Sequence, residues 1–147
     1  MKRFLFQTNN SAAPLIARLV LGVVIFPHGA QKMLGWFGGH GFSATMTSFT
    51  EGMHLPAFLA FLVILAEFAG SLGLIVGLLS RVAAFGIAAM LTGAIILGHA
   101  ANGFFMNWSG KQPGEGFEYH LLGLGLALIV LIYGGGKASL DRAIAGR

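Results

Sequence analysis

Residues 55–79 read LPAFLAFLVILAEFAGSLGLIVGLL, an apolar run of 25 residues. Its one charged side chain is Glu67, and its other residues are almost all apolar or small. A helix of about 20 mostly apolar residues is long enough to cross the hydrocarbon core of a bilayer. The stretch therefore predicts a transmembrane helix with a single acidic group inside the membrane.

Three further stretches have the same character, and the composition of the chain agrees with them. The additional predicted spans are residues 12–34, 81–106 and the shorter 118–134. Of the 147 residues, 56% are apolar and 10% are charged, whereas roughly 25% of a soluble domain is charged. So few polar groups cannot cover the surface of a small soluble protein. We predict an all-α integral membrane four-helix bundle, a single domain over residues 1–147.

The distribution of basic residues predicts the orientation of this bundle. With four spans, both termini lie on one side, together with the turn after residue 79. Cytoplasmic segments carry an excess of Lys and Arg, and the opposite side holds only Lys32 and Lys111. Both termini are therefore predicted to be cytoplasmic, and the net charge of +4 reflects orientation in a lipid bilayer rather than a nucleic-acid partner. The basic residues on the terminal side are Lys2, Arg3, Arg81, Lys137, Arg142 and Arg147.

The first outer loop, residues 35–54, contains a short helical pattern. Phe42, Met46 and Phe49 recur at intervals of four and three residues, which places them on one face of a helix. We predict a short amphipathic segment here, which either lies in the outer membrane interface or caps the bundle.

Two ionisable residues are predicted inside the membrane at similar depth. At 1.5 Å per residue, Arg18 lies about 9 Å from the cytoplasmic edge and Glu67 about 12 Å from it. An Arg at the centre of a membrane helix costs about 2.5–3.5 kcal/mol on insertion scales, so we expect it to have a partner. We predict a buried Arg18–Glu67 ion pair that fixes the register of adjacent helices. The alternative is that Arg18 snorkels to the head groups.

A second polar layer is predicted near the outer surface. His28 and His99 both fall about 24–27 Å from the cytoplasmic edge, and His120 lies at the outer start of the fourth span. Lys32 follows His28 by one helical turn, and Asn102 follows His99 in the same way. The candidate ligand-site or quinone-site residues are His28, Lys32, His99, Asn102, Glu118, Tyr119 and His120.

The residue types in this layer allow three kinds of chemistry. Two facing histidines can ligate a b-type haem, three histidines with a carboxylate can hold a metal, and His, Lys and Tyr side chains can bind and protonate a quinone head group. The chain has no cysteine, which excludes thiolate catalysis and iron–sulfur clusters. We favour a quinone over a haem and predict no metal.

Short motifs run through nearly the whole chain, from about residue 15 to residue 142. They are Arg18-Leu19, Gly22, Phe26, His28-Gly29 and Lys32, then Glu67-x-x-Gly70, Gly77-Leu78 and Arg81, and finally His99, Asn102-Gly103-Phe104-Phe105, Glu118-Tyr119, Gly134-Gly135-Gly136 and Ser139-Leu140-Asp141. In this order and spacing they resemble the DoxX-like family of small four-span bacterial membrane proteins. The resemblance implies a multi-pass protein of the bacterial inner membrane.

The same resemblance implies, more loosely, a function in a quinone-linked membrane redox complex. The family takes its name from a subunit of a thiosulfate:quinone oxidoreductase, and other members are linked to sulfur compounds or oxidative stress. On this hypothesis a partner redox protein supplies electrons; formation of a homo-oligomer is the other expected association. Two further functions stay open, because a fold alone does not define a reaction: a non-catalytic membrane anchor or assembly subunit for a partner enzyme, and a small-solute carrier.

Overall fold

The computed structural model describes residues 5–146, and the regular secondary structure of this part of the chain is helical. This confirms the predicted all-α class. The helices are α1 (Ala12–Leu34), α2 (Gly41–Thr47), α3 (Ala57–Val76), α4 (Ser80–Asn102), α5 (Glu118–Tyr133) and α6 (Leu140–Ile144).

Three of these helices, α1, α3 and α4, are long and apolar enough to cross a membrane. Helix α5 is also apolar, but its 16 residues make it shorter than the other three. Length and composition therefore support three membrane spans directly. The predicted fourth span exists as a helix.

The ends of the long helices follow from local backbone chemistry. Helix α1 has the predicted bounds, since the Ser11 side chain caps its first turn and Gly35, with φ 74°, ends it. Helix α3 begins after Pro56 and ends at Gly77, where φ is 72°. Helix α4 stops four residues before the predicted residue 106, because Gly103 takes a φ of 84° that a continuing helix cannot accommodate.

Two of the long helices are interrupted by a wider turn of π-helix. One lies at Ala66–Gly70 inside α3, and the other at Ile95–His99 inside α4. A π turn shifts the side chains that follow it around the helix axis, and such turns occur frequently at functional sites. Glu67 and His99 both lie in these turns. No pattern in the sequence predicts either turn.

The four long helices α1, α3, α4 and α5 pack against one another around a continuous apolar core. Its most buried large side chains are Leu21, Ile25, Leu74, Ile87, Leu91 and Val130. Many large apolar side chains instead point outward, among them Ile16, Val23, Phe58, Phe85, Ile96, Leu122 and Ile132. An apolar outer surface of this extent is that of a protein surrounded by lipid.

Both ends of the described chain lie at the same end of the bundle, which we name the tail end. The backbone N–H of Asn9 donates to the Tyr133 carbonyl at 2.9 Å, and that of Lys137 donates to the Ser11 carbonyl at 3.1 Å. The opposite end, which carries the connections 35–56 and 103–117, is named the loop end. Of the basic residues assigned to the terminal side, Lys2, Arg3 and Arg147 lie outside the described residues.

The helix predicted in the first outer loop is present as α2, which continues as a π turn over Ser48–Gly52. It packs against α1 and α3. The Phe42 ring meets the Phe61 ring of α3 edge to face, with centroids 6.4 Å apart. The apolar face of α2 therefore contributes to the packing at the loop end.

Candidate functional site at the loop end

Two histidines from different helices are in contact at the loop end. The rings of His99, in the π turn of α4, and His120, in the first turn of α5, have centroids 4.1 Å apart and are tilted by 45°. Nδ1 of His99 lies 2.9 Å from the carbonyl oxygen of Glu115, which fixes that ring against the second loop. His120 is only 7% exposed, and its Nδ1 has no hydrogen-bond partner within the described chain.

Two more of the candidate residues surround this pair. His28 of α1 is close enough to His120 to interact with it electrostatically, as is His99. The Tyr119 ring lies edge-on to the His120 ring at 5.7 Å, and Tyr119 is also within electrostatic reach of Glu67. We name His28, His99, Tyr119 and His120 the histidine site. Three helices thus bring together residues that are far apart in the sequence.

An ion pair lies next to the histidine site. Nζ of Lys32 is 2.6 Å from Oε2 of Glu67, and the two side chains are 25% and 7% exposed. That carboxylate oxygen makes no further hydrogen bond among residues 5–146. Gly29 makes the close approach of the two helices possible, because a Cβ there would lie 2.6 Å from the Glu67 carbonyl group. The absence of a side chain at Gly29 thus lets α1 carry Lys32 up to Glu67.

Lys32 also borders an open groove of about 300 Å³ between the end of α1, the following loop and α2. The groove is rich in polar groups. Its lining residues are Gln31, Lys32, Gly38, Gly39, His40, Ala44, Thr45 and Ser48. The sequence analysis named only Lys32 from this set, since the others carry no recognisable motif.

Two of the candidate residues, Asn102 and Glu118, form hydrogen bonds with the backbone of the second loop. The Asn102 side-chain amide donates to the Glu115 carbonyl at 3.1 Å. Oε1 of Glu118 accepts from the Met106 backbone N–H at 2.9 Å. Both side chains satisfy backbone groups of this irregular segment. Their contacts are those of residues that shape the loop.

The predicted ion pair between Arg18 and Glu67 is wrong, because each residue has another partner. Glu67 pairs with Lys32. The fully buried Arg18 donates to backbone carbonyls at the tail end, at 2.6–2.8 Å. The accepting carbonyls belong to Leu74, Ile75, Gly135 and Ala138.

The stagger of α1 against α3 explains why the depth estimate failed. The estimate assumed that both helices begin at a membrane edge. In the structure, Gly29 of α1 faces Glu67, whereas Arg18 faces the last turn of α3. Gly29 and Arg18 are separated by about 16 Å along the helix. Glu67 is thus three turns away from Arg18 and level with the histidine site.

Asp141 completes the tail end, and the sequence analysis gave it no role in the bundle. Its carboxylate accepts from the backbone N–H groups of Leu79 and Ser80 at 2.7 and 2.8 Å, at the start of α4. It is also close enough to interact electrostatically with Arg18. We name Arg18, Asp141 and the carbonyls around Arg18 the arginine knot. It ties the segment after α5 to α1, α3 and α4.

The geometry of the two histidines bears on the haem and metal alternatives. Axial haem ligands stand on opposite faces of the porphyrin, and rings whose centroids are 4.1 Å apart leave no space for a porphyrin between them. In residues 5–146, no group of three or more His, Asp or Glu side chains is arranged to hold a metal ion. The site does not fit a haem held between His99 and His120.

The fold and the polar site define a small helical membrane protein with a histidine cluster near one end of its bundle. A model of the DoxX family matches residues 13–100, which is more than half of the chain, and the chain belongs to this family. The family assignment made from the motifs is thereby confirmed. The matched region includes Arg18, Lys32, Glu67 and His99 and stops before His120. A search of curated proteins and a search of solved structures each found no match.

Proposed function

We propose that this DoxX-family protein is the membrane subunit of a quinone-linked redox complex, and that the histidine site receives the quinone head group. The observation that carries the proposal is the buried Nδ1 of His120, which has no partner in the described part of the chain. A buried polar atom without a partner costs about 1–3 kcal/mol. A ligand with an oxygen to offer would remove that penalty.

The chemistry assigned to the site is proton delivery. Reduction of a quinone to a quinol consumes two electrons and two protons. Imidazole groups are well suited to transfer protons near neutral pH, and His120 and His99 lie side by side, with His28 nearby. The proposal assigns the electron supply to a partner redox protein, since a chain without cysteine has no thiolate-bound redox centre of its own. The ammonium of Lys32 is neutralised by Glu67 and is not assigned to the quinone.

The proposal includes a topology with four spans and both termini in the cytoplasm. Helix α5 packs against α1 and α4 along the bundle and is apolar, which supports its role as the fourth span. Arg81, Lys137 and Arg142 lie at the tail end, in accordance with the tendency of basic residues to stay cytoplasmic. The histidine site then faces the outer side of a bacterial inner membrane. Family resemblance points to a sulfur compound or an oxidative-stress pathway as the electron source.

A titration of the purified protein with decylubiquinone tests this function. We expect binding near one quinone per chain, and at least about tenfold weaker binding for His120→Asn and His99→Asn. His54→Asn is the matched control, since His54 is an exposed loop histidine with φ 54°, a backbone conformation that Asn tolerates. Absence of quinone affinity in the wild-type protein, or equal affinity in all three variants, would overturn the proposal.

The arginine knot favours a second candidate, a non-catalytic anchor or assembly subunit. Its contacts order the segment after α5 beneath the bundle, which would present a fixed cytoplasmic surface to an enzyme. On this alternative, changes in the histidine site leave the function of the assembled complex intact. Loss of complex activity in a stable, still-assembled His120→Asn protein would exclude it.

A further inference from the structure

The groove beside Lys32 has the donors that recognise an oxygen-bearing anion. The Gln31 amide, the Thr45 and Ser48 hydroxyls, the His40 imidazole and the Lys32 side chain border it. All five side chains carry hydrogen-bond donors, of which the Gln31 amide already donates one bond to the Phe37 carbonyl at 3.2 Å, and Lys32 adds a positive charge. No acidic side chain is among the lining residues. The groove lies on the side of Lys32 next to α2, separate from the ring contact of His99 and His120.

The charge next to the groove is balanced before any ligand binds. Lys32 and Glu67 form one cation and one anion 2.6 Å apart, and Glu67 is 5% exposed. An anion that binds to Lys32 places two negative charges around one positive charge. In a buried environment this excess charge is expensive, and the usual response of a carboxylate is to take up a proton.

We propose that the groove binds a small oxyanion against Lys32 and that each binding event is accompanied by the uptake of one proton on Glu67. The proton restores neutrality, because the anion replaces the carboxylate as the partner of the ammonium. This inference concerns a ligand site other than the quinone site and does not depend on it.

Other titratable groups near Glu67 define the alternatives for the proton. Tyr119 of α5 lies within electrostatic reach of Glu67, and Lys32 of α1 pairs with it. His28 and His99 each lie within electrostatic reach of His120, in the neighbouring histidine site. His40 borders the groove itself and is the competing acceptor. The experiment must therefore separate Glu67 from His40.

The oxyanion has two chemical sources at this position. The groove opens at the loop end, where both dissolved inorganic anions and the phosphate groups of lipids are present. Both carry the same oxygen acceptors. Sodium sulfate in detergent solution tests the dissolved source, and the short-chain lipid dihexanoylphosphatidylglycerol tests the lipid source. Binding of either probe with proton uptake supports the site, and the pattern identifies which source it serves.

The test is calorimetric titration of the full-length protein with each probe, in two buffers of different ionisation enthalpy. The difference between the two heats gives the number of protons taken up. We expect about one proton per bound anion, and affinity that weakens up to about tenfold per pH unit as pH rises. Glu67→Gln should bind the anion with no proton uptake. His40→Asn should keep the proton uptake.

Two further variants keep the test decisive. Lys32→Met/Glu67→Gln removes both charges together, so that no buried charge is left unpaired, and it should bind at least about tenfold more weakly. Lys111→Met removes one positive charge from the exposed second loop and should bind normally. The proposal is overturned if neither probe binds the wild-type protein, if the double variant binds as well as wild type, or if proton uptake persists in Glu67→Gln.

Discussion

The buried polar groups at the two ends of the bundle differ in how completely they are hydrogen-bonded. At the tail end, Arg18 is surrounded by carbonyl oxygens, and both carboxylate oxygens of Asp141 accept hydrogen bonds. At the loop end, Nδ1 of His120 has no hydrogen-bond partner among residues 5–146, and Oε2 of Glu67 contacts only the Lys32 ammonium. At the tail end, the Ser80 hydroxyl is the buried group without a partner in the described chain, whereas the charged groups there are fully bonded. Satisfied groups hold a structure together, whereas unsatisfied ones are available to a ligand. The charged groups of the tail end are thus satisfied within the protein, whereas the loop end has a buried imidazole nitrogen without a partner among residues 5–146, as the proposed function requires.

The largest effect is expected for Arg18→Met. The substitution retains an apolar side chain of similar reach but leaves several buried carbonyls without donors. Loss of one partner in a buried charged network costs roughly 3–5 kcal/mol. We expect a loss of that size in the free energy of unfolding, measured by SDS titration in mixed micelles, with partial recovery in Arg18→Lys. Wild-type stability in Arg18→Met would show that the contacts of Arg18 do not stabilise the tail end.

Gly29→Ala should give the next largest effect. The added Cβ would lie 2.6 Å from the Glu67 backbone, so α1 and α3 must separate. Overpacking of this kind costs about 1–3 kcal/mol. Gly93→Ala is the matched control, because a Cβ there meets no atom within 4 Å. Equal stability of the two variants in the same SDS titration would show that the close approach at Gly29 is unimportant.

A smaller effect is expected for Asp141→Asn. The amide keeps one acceptor oxygen for the start of α4 but loses the charge that favours a helix N-terminus. We expect a loss of about 1 kcal/mol, in the range of a lost helix cap. Thermal unfolding followed by circular dichroism measures it. A larger loss of unfolding free energy than that of Arg18→Met would mean that the Asp141 carboxylate, rather than Arg18, stabilises the tail end most.

The smallest effect on stability is expected for His120→Leu. It replaces a buried ring whose Nδ1 has no partner in the described structure with an apolar side chain. The substitution removes the penalty of an unpaired buried atom but also loses the ring contacts with His99 and Tyr119, so we expect a net change of less than about 1 kcal/mol. The SDS titration used for Arg18→Met provides the comparison. A destabilisation as large as that of Arg18→Met would mean that both ends are structural.

Hydropathy was enough to predict the helices, but not how they are positioned along one another. The bounds of α1 follow from Ser11 and Gly35, which are local signals. The partner of Glu67 depends on how α1 and α3 are staggered, and the packing of Gly29 against Glu67 sets this stagger. The hydropathy of the two helices does not predict it. Counting residues from assumed membrane edges therefore predicted Arg18 as the partner of Glu67, whereas the partner in the structure is Lys32.

The candidate site shows the same division between local and long-range information. The common level of His28, His99 and His120 follows from counting along apolar spans, and the structure places these residues near one another. The π turns that carry Glu67 and His99 were not predictable, since they reflect tertiary packing. The capping of Ser80 by Asp141 joins positions 61 residues apart, and no local pattern indicates such a contact.

The most direct measurement of the central claim is solvent extraction of gently purified protein, with absorbance spectra of the same sample in its oxidised and reduced forms. We expect a near-stoichiometric amount of quinone from the wild-type protein and from His54→Asn, and a loss of that quinone in His99→Asn with the fold intact. Wild-type protein that yields no quinone, or a His99→Asn variant that retains it, would contradict a chemical function for the loop end.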